Sequence, residues 1–414
     1  MKIVDIKATT VSVPLEAPLR HAAGSHPGRF VRTIVQVVTD EGLVGLGEVG
    51  GGGNSLEAQI TGIRHTLKGH DPFNLESLRW KVHNPVLSAY YSMIQVLAPI
   101  EFACLDIMGK ATGRPVSDLI GGRMREKIPF AAYLFYRYRG GSKGGEETGA
   151  QIVAHAKDLV RRHGFKSLKL KGGVFPPAHD VEVTRALRKA FPKHKLRVDP
   201  NAVWSVDDAI WVARQIESLD IEYFEDPTWG MAGMARVRRN TSIPLATNHI
   251  VVNFDQLAPA VKMEAVDVIL IDPHFWGGIT AARRAANICD VFGLGVSMHS
   301  GGELGISLAA MLHTAASLSN LGFAADAHYH HLADDVIKGG KFRYVDGAIA
   351  VPTGPGLGVE LDESKIGRYA EEFRTLGSYD YHQDPGRPGW VMSMPGFNYA
   401  TPGKNRIPRS RERE

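Results

Sequence analysis

Polar residues close a series of short β-branched runs at nearly constant intervals. Lys171, Asp199, Glu225, Asn248, Asp272, His299 and Asp326 follow one another at 23 to 28 residues. The runs are KIPFAAYLF, SLKLKG, KLRVDPN, IEYFEDP, IPLATN, VDVILIDP, GVSMHS and FAADAH. Helical patterns such as DVEVTRALRKAFP and SVDDAIWVARQIESL separate them. A strand followed by a helix of that length brings the next strand back parallel to the first. Eight runs with seven crossovers predict an α/β protein built on a closed parallel barrel, whose C-terminal strand ends form the working face. The alternative, an open doubly wound sheet, lacks support because no GxGxxG opens the first βα turn.

The flanks read differently. KIVDIKATTVSVPL alternates as a strand, RHAAGSHPGRF reads as a polar loop, and VRTIVQVVTDEGLVGLGEV reads as a hairpin turning at Asp40-Glu41-Gly42. From about Ser55 to Gly121 the pattern is helical, with Gly113 as a stop. The expected organisation is an α+β unit over 1–125, the barrel over 126–355, and a segment over 356–414 that returns to helix. That segment then becomes rich in Gly, Pro and aromatics, and is expected to pack over the first unit or a neighbouring subunit. It ends in a mobile basic tail. The net charge of +4 sits largely in that tail, which argues against a nucleic-acid partner. No run is long and apolar enough to span a bilayer, and the N-terminus has no signal-peptide pattern. Cys104 and Cys289 lie in apolar helical runs and read as reduced core thiols, so the expected location is the cytoplasm.

Three oxygen donors, Asp199, Glu225 and Asn248, end consecutive strands. Adjacent strands lie about 4.8 Å apart, so the three can share one hard cation, and oxygen-only ligation points to Mg²⁺. For any one of them alone, a helix cap or salt bridge would be the simpler reading. His299 ends the next-to-last strand and Asp272 the one before it. An Asp there can orient the imidazole as a base. In SLKLKGG, Lys169 and Lys171 share one face of a strand that adjoins the Asp199 strand. Repulsion between the two ammonium groups, and from a nearby dication, is expected to lower the pKa of one lysine and make it a base.

Taken together, KLK, DPN, EDP, ATN, IDP and MHS, in this order and spacing, resemble the enolase superfamily. The resemblance runs from the first strand to about residue 361. It implies a modified TIM barrel, (β/α)7β, under an N-terminal α+β capping domain that the C-terminal segment completes. A lysine on the second barrel strand and a His–Asp pair on the sixth and seventh are similar to the mandelate racemase group. Asn248, GSHPGRFVRTIV and YLF are similar to its glucarate-dehydratase-like branch. The resemblance assigns catalysis to Lys169, Lys171, His299 and Asp272, and metal binding to Asp199, Glu225 and Asn248. It places substrate contacts at His26, Tyr133, Asn201, His328, Ser300 and Glu303.

It further implies a Mg²⁺-dependent hydro-lyase acting on a small acid sugar, an aldarate or aldonate, and the expected assembly is a homo-oligomer. Lys171 and His299 face each other across the substrate, and one removes the proton α to the carboxylate. Metal and Lys169 stabilise the enediolate, the β-hydroxyl leaves, and a 2-keto-3-deoxy acid results. Two departures put D-glucarate itself in doubt. Gly301, Gly302 and Glu303 follow the His-Ser pair where small polar residues are expected. Tyr379 stands where the branch carries an arginine for the distal carboxylate, with Arg387 near enough to substitute. The competing readings are a racemase or epimerase on the same chemistry, a non-catalytic binder, and a Schiff-base aldolase using Lys171.

Overall fold

The computed structural model describes residues 1–51, 53–84, 93–390, 392 and 399–400. Strands β1 (Ile3–Pro14), β4 (Arg29–Thr39) and β5 (Val44–Gly50) form an antiparallel sheet in the order β1-β4-β5. Helices Asn54–Leu67, Leu75–Val82 and Ile94–Thr112 pack with it. The glycines that alternate through β5 explain how closely the last helix lies. A Cβ at Gly45 would fall 2.0 Å from the Ala103 carbonyl oxygen, and one at Gly47 would fall 1.9 Å from that of Pro99. Helix Ile94–Thr112 therefore seats backbone to backbone. It is buried nearly all round because it serves two cores. Ile100, Cys104 and Ile107 join the cap's own cluster, while Ala98, Phe102 and Leu105 join the barrel's.

The barrel follows the predicted rhythm. Strands β7 (Ala131–Arg137), β8 (Ser167–Lys171), β9 (Lys195–Asp199), β10 (Tyr223–Glu225), β11 (Leu245–Thr247), β12 (Val268–Ile271) and β13 (Gly295–Met298) pair in sequence order, all parallel. A helix follows each one. Several of these helices start on side chains that accept from the first turn, among them Thr148, Ser205 and Asn253. The eighth stave, around 321–326, closes the ring through short parallel bridges. Ala131 N donates to Ala325 O at 2.9 Å, and Asp326 N donates to Met298 O at 3.0 Å. Both cysteines are buried free thiols, and among the described residues no helix is long and apolar enough to cross a membrane.

Three segments differ from the sequence reading. KIPFAAYLF is two strands: β6 (Lys127–Pro129) pairs antiparallel with β14 (Ala348–Ala350), and only β7 enters the barrel. Pro129 has no N–H to give a ladder, which suits the break at Phe130. RHAAGSHPGRF is not a plain loop. Residues β2 (Leu19–His21) and β3 (Gly24–His26) form a buried hairpin, and β2 extends the barrel sheet by pairing antiparallel with β7. Several of its polar residues find partners at the far end of the chain. Arg20, for example, pairs with Asp384 at 3.3 Å.

Helix Glu363–Leu376 packs on β1, and the chain then runs as a strap over the β2–β3 hairpin. Ser25 N donates to Tyr381 O at 3.3 Å, and Ser25 Oγ donates to Gln383 O at 3.0 Å. Gly24, with φ +146°, lets the strap lie this close, since a Cβ there would sit 1.9 Å from Tyr381 O. The expected basic tail lies outside the described residues.

Candidate active site

Where the C-terminal strand ends meet the cap, a cavity of about 1000 Å³ opens. Lys171, Asn201, Asn248, Asp272 and His299 line its barrel side. His26, Phe30, Tyr379 and Tyr381 line its cap side. Lys169, Asp199 and Glu225 lie one layer deeper, with no exposure. Parallel pairing sets this depth. Lys171 stands opposite Asp199 in the β8–β9 register, and Lys169, two residues back, stands opposite Arg197.

The buried charges pair with one another. Lys169 Nζ lies 2.5 Å from Glu225 Oε2, 2.6 Å from Asp326 Oδ2 and 3.2 Å from Asp199 Oδ2. Lys171 Nζ lies 2.5 Å from Asp199 Oδ2. Burial works against the charge on Lys169, but the surrounding carboxylates, Asp326 first, outweigh it and hold its pKa well above the ordinary value. The depression expected of one of the two lysines is therefore not found at Lys169. Burial and the adjacent Asp199 push Glu225 up. Asp199 is held down, against burial, by the two lysines.

The donor set suits a hard cation. Two buried carboxylates converge on a point that already holds a positive charge, the Lys169 ammonium. Among the described residues no three His, Cys, Asp or Glu side chains form a metal-holding group; the third donor here is an amide. With its nitrogen toward the acids, Asn248 donates to Glu225 Oε1 and Asp226 Oδ2, both at 3.0 Å, and its oxygen accepts from His299 Nε2 at 2.8 Å. A half-turn of the amide would present that oxygen to a cation instead. Residues Asp199, Glu225 and Asn248 can thus supply oxygens alone, the preference of Mg²⁺.

Across the mouth, His299 Nδ1 donates to Asp272 Oδ2 at 2.9 Å. Burial opposes the charge on Asp272, but His274 and His299 hold its pKa down. His274 is a neighbour that sequence reading missed. Its own signal, an imidazole two residues after the strand-end Asp, is indistinguishable from a core histidine.

The expected substrate contacts divide. Asn201 lines the cavity in a left-handed conformation (φ 54°), with its N–H on Asp199 Oδ1 at 2.9 Å. Ser300 and His328 line it together, 2.7 Å apart through Oγ and Nδ1. His26 lines it with Nδ1 2.7 Å from the Tyr379 hydroxyl. Its pKa falls to about 3, chiefly through burial and then through Arg32 and Lys171. Tyr133 and Glu303 do not reach the wall. The ring of Tyr133 lies under the two lysines, 4.7 Å from Lys169 Nζ. Glu303 turns back to accept from Ser300 Oγ at 2.6 Å and Gly301 N at 2.7 Å, so it shapes the loop rather than facing an anion. Arg387 is also spoken for: it pairs with Asp384 at 2.7 Å and stacks 3.9 Å over Trp390, outside the cavity wall.

Comparison with known proteins agrees with this architecture. Residues 3–121 match the mandelate racemase / muconate lactonizing enzyme N-terminal domain, and residues 151–365 match the enolase C-terminal domain-like family. A Streptomyces coelicolor protein named "Probable glucarate dehydratase" is 38% identical over 88% of this chain and 91% of its own. An enolase from Mycobacterium smegmatis, crystallised with tartrate, superposes with a TM-score of 0.89 at 40% identity, covering 95% of this chain and 98% of that one. One from Thermobispora bispora, crystallised with magnesium and formate, gives 0.86 at 42%, covering 91% and 94%. Relatives at 29% and 28% identity are named as a muconate cycloisomerase and an N-succinyl-Arg/Lys racemase. By both its domains, the chain is an enzyme of the enolase superfamily and belongs to the mandelate racemase / muconate lactonizing enzyme family.

Proposed function

We propose that the protein is a Mg²⁺-dependent dehydratase of an acid sugar. The observation that carries the reading is the convergence of Lys171 and His299 on one cavity, from the second and seventh barrel strands, beside the Asp199–Glu225–Asn248 donor set. The 38% identity to a protein named as a probable glucarate dehydratase supports the same class.

A proton α to a carboxylate leaves only if the resulting enediolate is stabilised. Asp199, Glu225 and Asn248 would hold a divalent cation, which would supply Lewis-acid stabilisation of the developing enediolate. Lys169, kept charged by its carboxylate neighbours, adds a fixed donor at the same end. Lys171 or His299 takes the α-proton. The β carbon–oxygen bond then breaks, and His299 delivers a proton to the leaving hydroxyl, which departs as water. The enol that remains tautomerises to the 2-keto-3-deoxy acid. Asp272 holds the imidazole for this exchange.

The distal end favours an acid sugar other than D-glucarate. Its wall is neutral: Tyr379 offers one hydroxyl, His26 is uncharged, and Arg32 is committed to Glu48 at 2.6 Å. The test is a panel of aldarates and aldonates with Mg²⁺, read as 2-keto acid formed. Turnover of at least one is expected. Epimerisation at the α-carbon with no keto acid would replace the dehydratase by a racemase, and no reaction with any member would overturn the reading.

A further inference from the structure

We propose that His274 is a positioning residue that fixes the Asp272–His299 pair and fastens it to the cap. The proposal rests on the reading of His299 as a base. Asp272 ends β12 with both carboxylate oxygens engaged. Oδ2 accepts from His299 Nδ1 at 2.9 Å, while Oδ1 accepts from His274 Nδ1 at 3.0 Å and from the His274 backbone N–H at 2.8 Å. Held only by His299 and one main-chain N–H, the carboxylate has more freedom to turn about its last bond and carry the imidazole with it. Held at both oxygens, it has one orientation.

The far side of His274 reaches the cap. Its Nε2 donates to the main-chain oxygen of Glu48 on β5 at 3.0 Å, with Ser307 Oγ also at 3.0 Å. The carboxylate of the same Glu48 accepts from Arg32 Nε at 2.6 Å and from the backbone N–H groups of Leu304 and Ser307, both at 2.8 Å. One buried cap residue thus grips both His274 and the loop that follows His299. Phe102, on the cap helix that seats against β5, lies edge-on to the His274 ring at 5.2 Å. Asp272 raises the imidazole's pKa against the effect of burial, in keeping with acceptors at both ring nitrogens. These contacts form an unbroken line from cap strand to base, Glu48–His274–Asp272–His299.

A core histidine that merely supports the fold would make similar contacts, so the test must separate the two nitrogens. His274→Asn places an amide N–H near the Nδ1 position and can still hold Asp272. His274→Gln reaches the Nε2 position and can hold only Glu48. His274→Phe keeps the packing on Phe102 and holds neither through its side chain, leaving only the main-chain N–H of residue 274 on Asp272 Oδ1. On the best substrate of the acid-sugar panel, kcat should fall about 10- to 100-fold in the Phe and Gln variants with KM changed less than about threefold. That is below the roughly 10²–10⁴-fold that general acid–base catalysis supplies. The Asn variant should retain most activity. In D₂O, with L- and D-tartrate as probes of opposite α-configuration, the loss should fall on the configuration that His299→Ala also loses. Equal losses in all three variants, or equal losses for both configurations, would overturn the proposal.

A second readout needs no turnover. In ¹⁵N-histidine-labelled protein, the His299 N–H bonded to Asp272 should give a downfield, exchange-protected resonance in the wild type and in His274→Asn, and lose it in His274→Phe. An unchanged resonance in the Phe variant overturns the positioning role by itself. Should the wild type exchange neither tartrate, the base role of His299 has failed, and this resonance still decides whether His274 holds Asp272.

Discussion

The two sides of the cavity are built from different parts of the chain by different means. The barrel side comes from one repeating unit. Its groups stand at equivalent strand ends and pair within the ring, as Lys169 does with Glu225, Asp326 and Asp199. The cap side is assembled from the two ends of the chain. His26 and Tyr379 meet at 2.7 Å across 353 residues of sequence, and both are neutral. Charges set on strand ends suit a step common to a family. A wall of aromatic and imidazole groups on a hairpin and a strap can vary without disturbing that step.

If this division holds, the barrel side should dominate rate. Removing divalent cations with EDTA should abolish turnover, and Mg²⁺ should restore it, because Asp199, Glu225 and Asn248 offer oxygens to a hard cation. Full activity after exhaustive chelation would remove the metal from the account and leave the three donors as a salt-bridge cluster.

Next in size come the two bases. Lys171→Ala and His299→Ala should each cost about 10²–10⁴-fold in kcat, and the losses should be separable by stereochemistry. In D₂O each variant should lose α-proton exchange for one configuration and keep it for the other. If both lose the same configuration, the groups act in series on one face of the substrate.

The sequence made the barrel side legible for a physical reason. A parallel barrel places every strand end on one rim, so spacing alone brought Lys171, Asp199, Glu225, Asn248, Asp272 and His299 together. Residues whose environment comes from elsewhere were harder to read. Arg20 looks like a loop residue until Asp384 is known to neutralise it. Glu303 looks like a charge in the pocket until Ser300 and Gly301 are seen to turn it away. Lys169 and Lys171 read as two ammonium groups repelling each other, but Asp326, from the closing stave, joins Glu225 and Asp199 in holding the Lys169 pKa up.

A smaller effect tests how cap and barrel are joined. His313, on barrel helix Gly305–Ser317, accepts from Ser117 N of the cap at 3.2 Å through Nδ1. Through Nε2 it donates to Leu357 O at 3.2 Å, on the returning C-terminal segment. Only the neutral ring can do both. Burial lowers its pKa to about 4, below the ordinary histidine value of about 6.5. Between those values the unfolded chain binds the proton and the folded one does not. Stability therefore falls as pH drops from about 6.5 to about 4, by up to roughly 1.4 kcal/mol per pH unit for this group. Melting temperature measured across that window should decline, and His313→Gln, which cannot be protonated there, should flatten the slope. An unchanged slope would mean that other buried histidines carry the acid sensitivity.

The finest test falls on the cap side alone. Tyr379→Phe removes the hydroxyl that pairs with His26 Nδ1 but leaves the ring in the wall. One neutral hydrogen bond is worth about 0.5–1.5 kcal/mol, so kcat/KM for the best acid sugar should fall roughly 2- to 10-fold, with the larger share in KM. α-Proton exchange should be unaffected, since no barrel-side group is touched. The converse change, Tyr379→Arg, restores a cation that can take a second carboxylate in a two-point, charge-assisted contact. Relative kcat/KM for D-glucarate over an aldonate should then rise. A charged hydrogen bond exceeds a neutral one by about 1–2 kcal/mol, which sets the gain at roughly 5- to 30-fold. If the wild type already prefers D-glucarate, a cation other than Tyr379's replacement serves the distal end, and Arg32 is the first to examine because it lines the cavity. If Tyr379→Phe instead lowers kcat at constant KM, the cap wall takes part in the chemical step, and the separation of rate from selectivity fails at a contact between the two ends of the chain.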